Sequence, residues 1–112
     1  MARIYIITGM PGAGKEEFVK VAMKRGFNIV RMGDVVRREA AARGLVMSDK
    51  EVGGFASAER ERHGPGIWAV RCISLIGDKD TVIDGSRSVH ELEVFRRELG
   101  SNMRLIAIHA SP

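Results

Sequence analysis

Apolar positions in this chain fall into four short runs, separated by longer stretches in which apolar residues recur at helical spacing. "RIYIIT", Arg3 to Thr8, is a β-branched apolar run that suits a buried strand. Glu16 to Arg25 follows as a helix with Phe18, Val21 and Ala22 on one face, and "RGF" breaks it. Asn28 to Arg31 reads as a second strand. Asp34 to Arg43 is the next helix, with Val35, Val36 and an alanine cluster, stopped by Gly44. Ser48 with Glu51 three residues on forms a capping box that opens a helix running to about Arg62, and "HGPG" ends it. From Ile67 to Ile76, Trp68, Cys72, Leu75 and Ile76 share a helical period before "GDKD" turns the chain into the strand "TVID". Ser88 and Glu91 make a second capping box for a helix with Leu92, Phe95 and Leu99 inward, and "RLIAIHA" is a fourth strand.

Strands alternating with helices imply parallel pairing and a sheet covered on both faces, so the expected fold class is α/β. Ligands of such sheets sit beyond the carboxyl ends of the strands. The segments at those ends are "GMPGAGK", "MGDVVRR", "DGSRS" and "HASP".

Composition narrows the picture without redirecting it. The 112 residues suit one domain, and no repeat, low-complexity tract or linker divides them. Mean hydropathy is -0.07 with 45% hydrophobic residues, and no run approaches the roughly 18 apolar residues of a membrane span. Charge interrupts the short amino-terminal apolar segment at "GAGKEE", so it reads as a strand retained in the mature chain rather than a signal peptide. A lone Cys72 has neither a disulfide partner nor companions at metal-ligand spacing, which fits a reducing compartment and a cytoplasmic location. The net charge of +4 suits a phosphorylated ligand. Acids and bases alternate in "ERER" and "FRREL", however, and one Trp with one Tyr offers little stacking surface, so a nucleic-acid partner is disfavoured.

The first strand-end segment matches G-x-x-x-x-G-K with Gly9, Gly14 and Lys15, in the strand, loop, helix context such a phosphate-binding loop needs. Its glycines let successive backbone N–H groups turn inward, the helix adds its positive end, and the Lys15 ammonium supplies a mobile charge for terminal phosphates. The expected nucleotide-binding residues are Gly9, Met10, Pro11, Gly12, Ala13, Gly14, Lys15 and Glu16. Glu16 stands where these loops usually carry the Ser or Thr that ligates Mg²⁺. Its carboxylate is either a hard oxygen ligand for that metal or a solvent-facing acid stabilising the helix start. A GTPase is disfavoured because N-K-x-D occurs nowhere in the chain.

"GDVVR", with Asp34 and Arg37, resembles the G-D-x-x-R element of adenylate kinase and related nucleoside monophosphate kinases. "VIDGSR", with Asp84 and Arg87, is similar to their D-G-x-P-R element, one residue shorter. Together with the loop, the chain resembles an archaeal family of adenylate-kinase-related proteins, also described as dephospho-CoA-kinase-like, along its whole length.

The resemblance implies a three-layer nucleotide-binding fold with strand order 2-3-1-4, and transfer of the γ-phosphoryl group of ATP, with Mg²⁺, to a small acceptor such as a nucleotide. It makes Lys15, Asp84 and Arg87 catalytic, Asp84 metal-binding beside the candidate ligand Glu16 that the loop itself offers, and Asp34, Arg37 and Arg87 acceptor-binding. The helical stretch 34–76 would border the acceptor, with Arg60, Arg62, His63 and Trp68 as lesser candidates that surface charge and core packing explain better. Family members continue past the strand matching "LIAIHA" into a lid with further arginines, whereas this sequence stops at "HASP". The expectation is therefore a truncated chain whose uncovered last strand leaves self-association open. The alternative reading, favoured by Glu16 and the missing lid, is a non-catalytic nucleotide-binding or regulatory module.

Overall fold

A computed structural model describes residues 3–9, 14–44, 48–85 and 88–108. Its elements run β1 (Ile4–Gly9), α1 (Lys15–Lys24), β2 (Asn28–Arg31), α2 (Met32–Ala42), α3 (Asp49–His63), α4 (Ile67–Ile73), β3 (Thr81–Asp84), α5 (Val89–Leu99), a short 3₁₀ turn (Gly100–Asn102) and β4 (Met103–Ile108). The strands form one parallel sheet in the order β2-β3-β1-β4, as the sequence implied.

Successive side chains of a strand point to opposite faces, and the two faces of this sheet carry separate cores. Ile4, Ile6, Val30 and Ile83 face one way, packing with Val35, Val36, Trp68, Cys72 and Phe95 from α2, α4 and α5. Ile7 and Val82 face the other way, against Val19 and Ala22 of α1. Trp68 is fully buried and its indole N–H donates to the Ala56 carbonyl at 3.2 Å, so its role is packing between α3 and α4.

Both expected caps sit at helix starts: Ser48 Oγ accepts from the Glu51 N–H at 3.2 Å, a one-way N-cap, and Ser88 Oγ from the Glu91 N–H at 3.1 Å. The Ser88 box is reciprocal, with the Glu91 side chain reaching back to the Ser88 backbone N–H. Three details differ from the sequence reading. The inward face of α1 is Val19 and Ala22, whereas Val21 is 52% exposed. Helix α2 starts at Met32, directly from β2, so Asp34 lies in its first turn. Helix α4 ends at Ile73, beyond which the backbone tightens into turns, Leu75 N–H donating to the Cys72 carbonyl and Ile76 N–H to the Ile73 carbonyl, and Leu75 is exposed.

Candidate functional site

Gly14 opens α1 with φ 85° and ψ 1°, a left-handed conformation that suits glycine because no Cβ clashes there. The first turn of α1 then delivers Lys15 and Glu16 to the carboxyl end of the sheet. Alternation along the strands does the rest. Val30 and Ile83 point away from α1, so their successors Arg31 and Asp84 point toward it. Arg31 and Asp84 are also register partners in the β2–β3 pair.

These four side chains form one charged chain. Lys15 Nζ lies 3.0 Å from Asp84 Oδ1, with both side chains at least nine-tenths buried. Arg31 Nη1 donates to Asp84 Oδ2 at 2.9 Å. The same guanidinium grips Glu16 at both oxygens, Nη1 to Oε1 at 2.8 Å and Nη2 to Oε2 at 3.1 Å. The hydrogen bonds and charge of Arg31 hold the Glu16 carboxyl below its ordinary value of 4.5, and the Glu16 hydrogen bond in turn raises Arg31. Asp84 Oδ1 has the Lys15 ammonium beside it but no aligned hydrogen bond, so a buried carboxylate oxygen keeps acceptor capacity.

The sequence-derived residues divide accordingly. Lys15 meets Asp84 directly, and Arg31 joins Asp84 to Glu16. Asp34, in the first turn of α2, and Arg37, one turn further on, stay on its exposed side, paired with each other at 3.5 Å. Gly9 ends β1 in register with Ile108. Met10, Pro11, Gly12, Ala13 and Arg87 lie outside the described residues. Arg31 is the residue that sequence reasoning passed over. Its signal was present, since it is the last residue of a strand at the ligand end of an α/β sheet, but only pairing with Asp84 shows that it enters the site.

Among the described residues no group of three or more His, Cys, Asp or Glu is placed to hold a metal ion. Mg²⁺ is usually held by one or two carboxylates together with substrate phosphates and water. Glu16 Oε1 and Asp84 Oδ2 both touch a single nitrogen of Arg31, so they lie close enough to face one cation.

The family model described as AAA domain matches residues 8–112. The chain is 48% identical over 107 residues to a UPF0200 protein of Thermoplasma acidophilum, an alignment covering 95% of this chain and 59% of that protein. It is 43% identical over 111 residues to a UPF0200 protein of Methanosarcina barkeri, covering 96% and 60%. The chain thus spans about three-fifths of the length of these curated relatives. Among solved structures, a gluconokinase from Sinorhizobium meliloti 1021 is similar with TM-score 0.48 and 17% identity, over 98% of this chain and 58% of that one.

Proposed function

The chain belongs to the AAA-domain family, and we propose that it binds ATP with Mg²⁺ at the Gly9–Lys15 loop and transfers the γ-phosphoryl group to a small phosphorylated acceptor such as a nucleotide. The observation that carries this reading is the buried Lys15–Asp84 pair at 3.0 Å, set where the glycine loop enters α1. A buried ion pair of this kind adds little net stability, because desolvating the two charges offsets most of their attraction. Its position beside a loop that phosphates require gives it a use.

The loop N–H groups and the positive end of α1 receive the phosphates, and Lys15 turns from Asp84 toward the terminal ones. Asp84 and Glu16 would hold Mg²⁺, which neutralises phosphate charge when bound. Arg87, Arg37 and Asp34 orient the acceptor, bordered by the helices of 34–76. An acceptor oxygen then forms its bond to the γ-phosphorus as the bond to the β,γ-bridging oxygen breaks, and ADP leaves. Such transfer is almost entirely positioning and electrostatic stabilisation, so few residues suffice. A cytoplasmic setting is part of the proposal, supported by the single buried Cys72, whose thiol is pushed up to about 12 by burial and by nearby Glu91.

One observation favours a non-catalytic nucleotide-binding module instead: Asp34 and Arg37 engage each other at the surface rather than joining Lys15 and Asp84. Calorimetric titration with ATP, with and without Mg²⁺, followed by transfer of γ-labelled phosphate to a panel of nucleoside monophosphates, separates the two. Labelled acceptor supports the kinase; binding without transfer to any acceptor supports the module; no binding of ATP defeats both.

A further inference from the structure

The carboxylates that would hold a metal already hold a cation belonging to the chain itself. Arg31 spans Glu16 and Asp84 with three contacts between 2.8 and 3.1 Å. A guanidinium in this position neutralises the negative charge that would attract a divalent ion and repels that ion at close range. Its bidentate fork also fixes both Glu16 oxygens at once, which a lysine ammonium would not do.

The link is strong but lies on the open side of the site. Arg31 and Glu16 side chains are 35% and 55% exposed, whereas Asp84 is 6% exposed and has Lys15 on its other oxygen. Arg31 can therefore swing away without rebuilding the core. A nucleotide's phosphates offer a guanidinium a better partner than a carboxylate that is simultaneously recruited by metal. Neither of the roles weighed from sequence for Glu16, metal ligand or solvent-facing helix acid, includes this contact.

We propose that Arg31 is a built-in counter-cation that holds the Glu16 and Asp84 carboxylates in the nucleotide-free protein and must leave them before a divalent metal is bound there. The proposal rests on the ATP and metal reading above. Arg31 is then a positioning residue that makes metal entry depend on nucleotide. It also screens Glu16, so nucleotide phosphates approach a locally neutral pair instead of an uncompensated carboxylate.

The test uses Mn²⁺ as a stand-in for Mg²⁺, following loss of the free-ion electron paramagnetic resonance signal in the absence of nucleotide. Wild type and Arg31→Lys, which keeps the positive charge, are expected to bind weakly. Arg31→Gln is expected to bind roughly tenfold tighter or more, since a unit charge in contact with a divalent ion has been removed. Adding Glu16→Gln to Arg31→Gln should abolish the gain. Wild type binding Mn²⁺ as tightly as Arg31→Gln overturns the proposal.

Should Arg31→Gln fail to fold by circular dichroism, the wild-type protein decides through its ¹⁵N-resolved Arg31 Nε–H resonance. It should stay unchanged on adding Mg²⁺ alone and shift on adding ATP with Mg²⁺. A shift with Mg²⁺ alone, or none when ATP and Mg²⁺ are both shown to be bound, overturns the proposal as well. Failure of ATP to bind at all would count against the nucleotide reading, while the Mn²⁺ comparison, which contains no nucleotide, still judges Arg31.

Discussion

Arg31 and Asp84 face each other across neighbouring strands: their Cα atoms are register partners, and Arg31 Nη1 lies 2.9 Å from Asp84 Oδ2. Backbone pairing, more than side-chain reach, builds this contact. A one-residue slip of either strand would turn its charged residue to the opposite face, where α2, α4 and α5 pack. Sheet register therefore sets the electrostatics of the site, and Lys15 and Glu16 from α1 complete it.

The acceptor assignment gives the first prediction. Arg87→Ala should weaken binding of the acceptor monophosphate by about 1.5–3 kcal/mol, the usual value of a charge-assisted hydrogen-bonded contact, and leave ATP affinity unchanged. Titrating both ligands into both proteins checks it. Equal losses for ATP and for every monophosphate would reassign Arg87 to the nucleotide site.

A second prediction concerns how α4 sits on α5. A Cβ built on Gly66 falls 2.5 Å from Val94 Cγ2, in the core, while the backbone of Gly66, φ -96° and ψ 8°, suits any residue. Gly66→Ala should thus destabilise by overpacking, about 1–3 kcal/mol. Adding Val94→Ala should recover part of that loss, because the two residues occupy the same space. Urea denaturation of the single and double variants measures this, and strict additivity would place the cost elsewhere.

Acid sensitivity is the third. Glu59 is buried between Arg43 and Arg71, whose Nη2 atoms lie 2.8 and 2.9 Å from its Oε1, with His63 Nε2 3.9 Å from Oε2. Burial pushes the Glu59 carboxyl up, but the guanidiniums of Arg71 and Arg43 outweigh it and hold it below 4.5. A carboxyl depressed in the folded state stabilises above its unfolded value and loses that contribution as pH falls through the folded one. Stability should therefore fall from about pH 4.5 downward. Glu16 and Asp80 act in the same direction, lowered by the Arg31 side-chain hydrogen bond and the Arg3 backbone hydrogen bond respectively. Glu59→Gln should lower the melting temperature at neutral pH and flatten the acid limb. Identical acid limbs would mean that Glu59 is not depressed.

The sequence made the sheet legible because short apolar, β-branched runs alternate with stretches of helical period. Asn28–Arg31 and Thr81–Asp84 have the bounds read from "NIVR" and "TVID", and the capping serines Ser48 and Ser88 marked the starts of α3 and α5. Lys15 was singled out by the G-x-x-x-x-G-K spacing and Asp84 by its place at a strand end, and the fold brings the two together. Arg31 was not, since a strand order that sets β2 beside β3 leaves open the register that opposes it to Asp84. Helix α4 was read too long because Leu75 and Ile76 keep the apolar period, while the backbone there passes from the helix into three-residue turns. Val21 shares a helical face with Phe18, but the sheet beneath α1 meets Val19 and Ala22.

The account turns on Lys15 acting as a phosphate ligand that rests on Asp84 between nucleotides, and calorimetric titration of ATP into wild type and Lys15→Met measures that directly. Wild type should bind ATP, and Lys15→Met should lose roughly ten- to hundredfold in affinity, equivalent to the 1.5–3 kcal/mol of a hydrogen bond to a charged group. Circular dichroism confirms that the variant is folded. Equal ATP affinity in the two folded proteins would contradict the account.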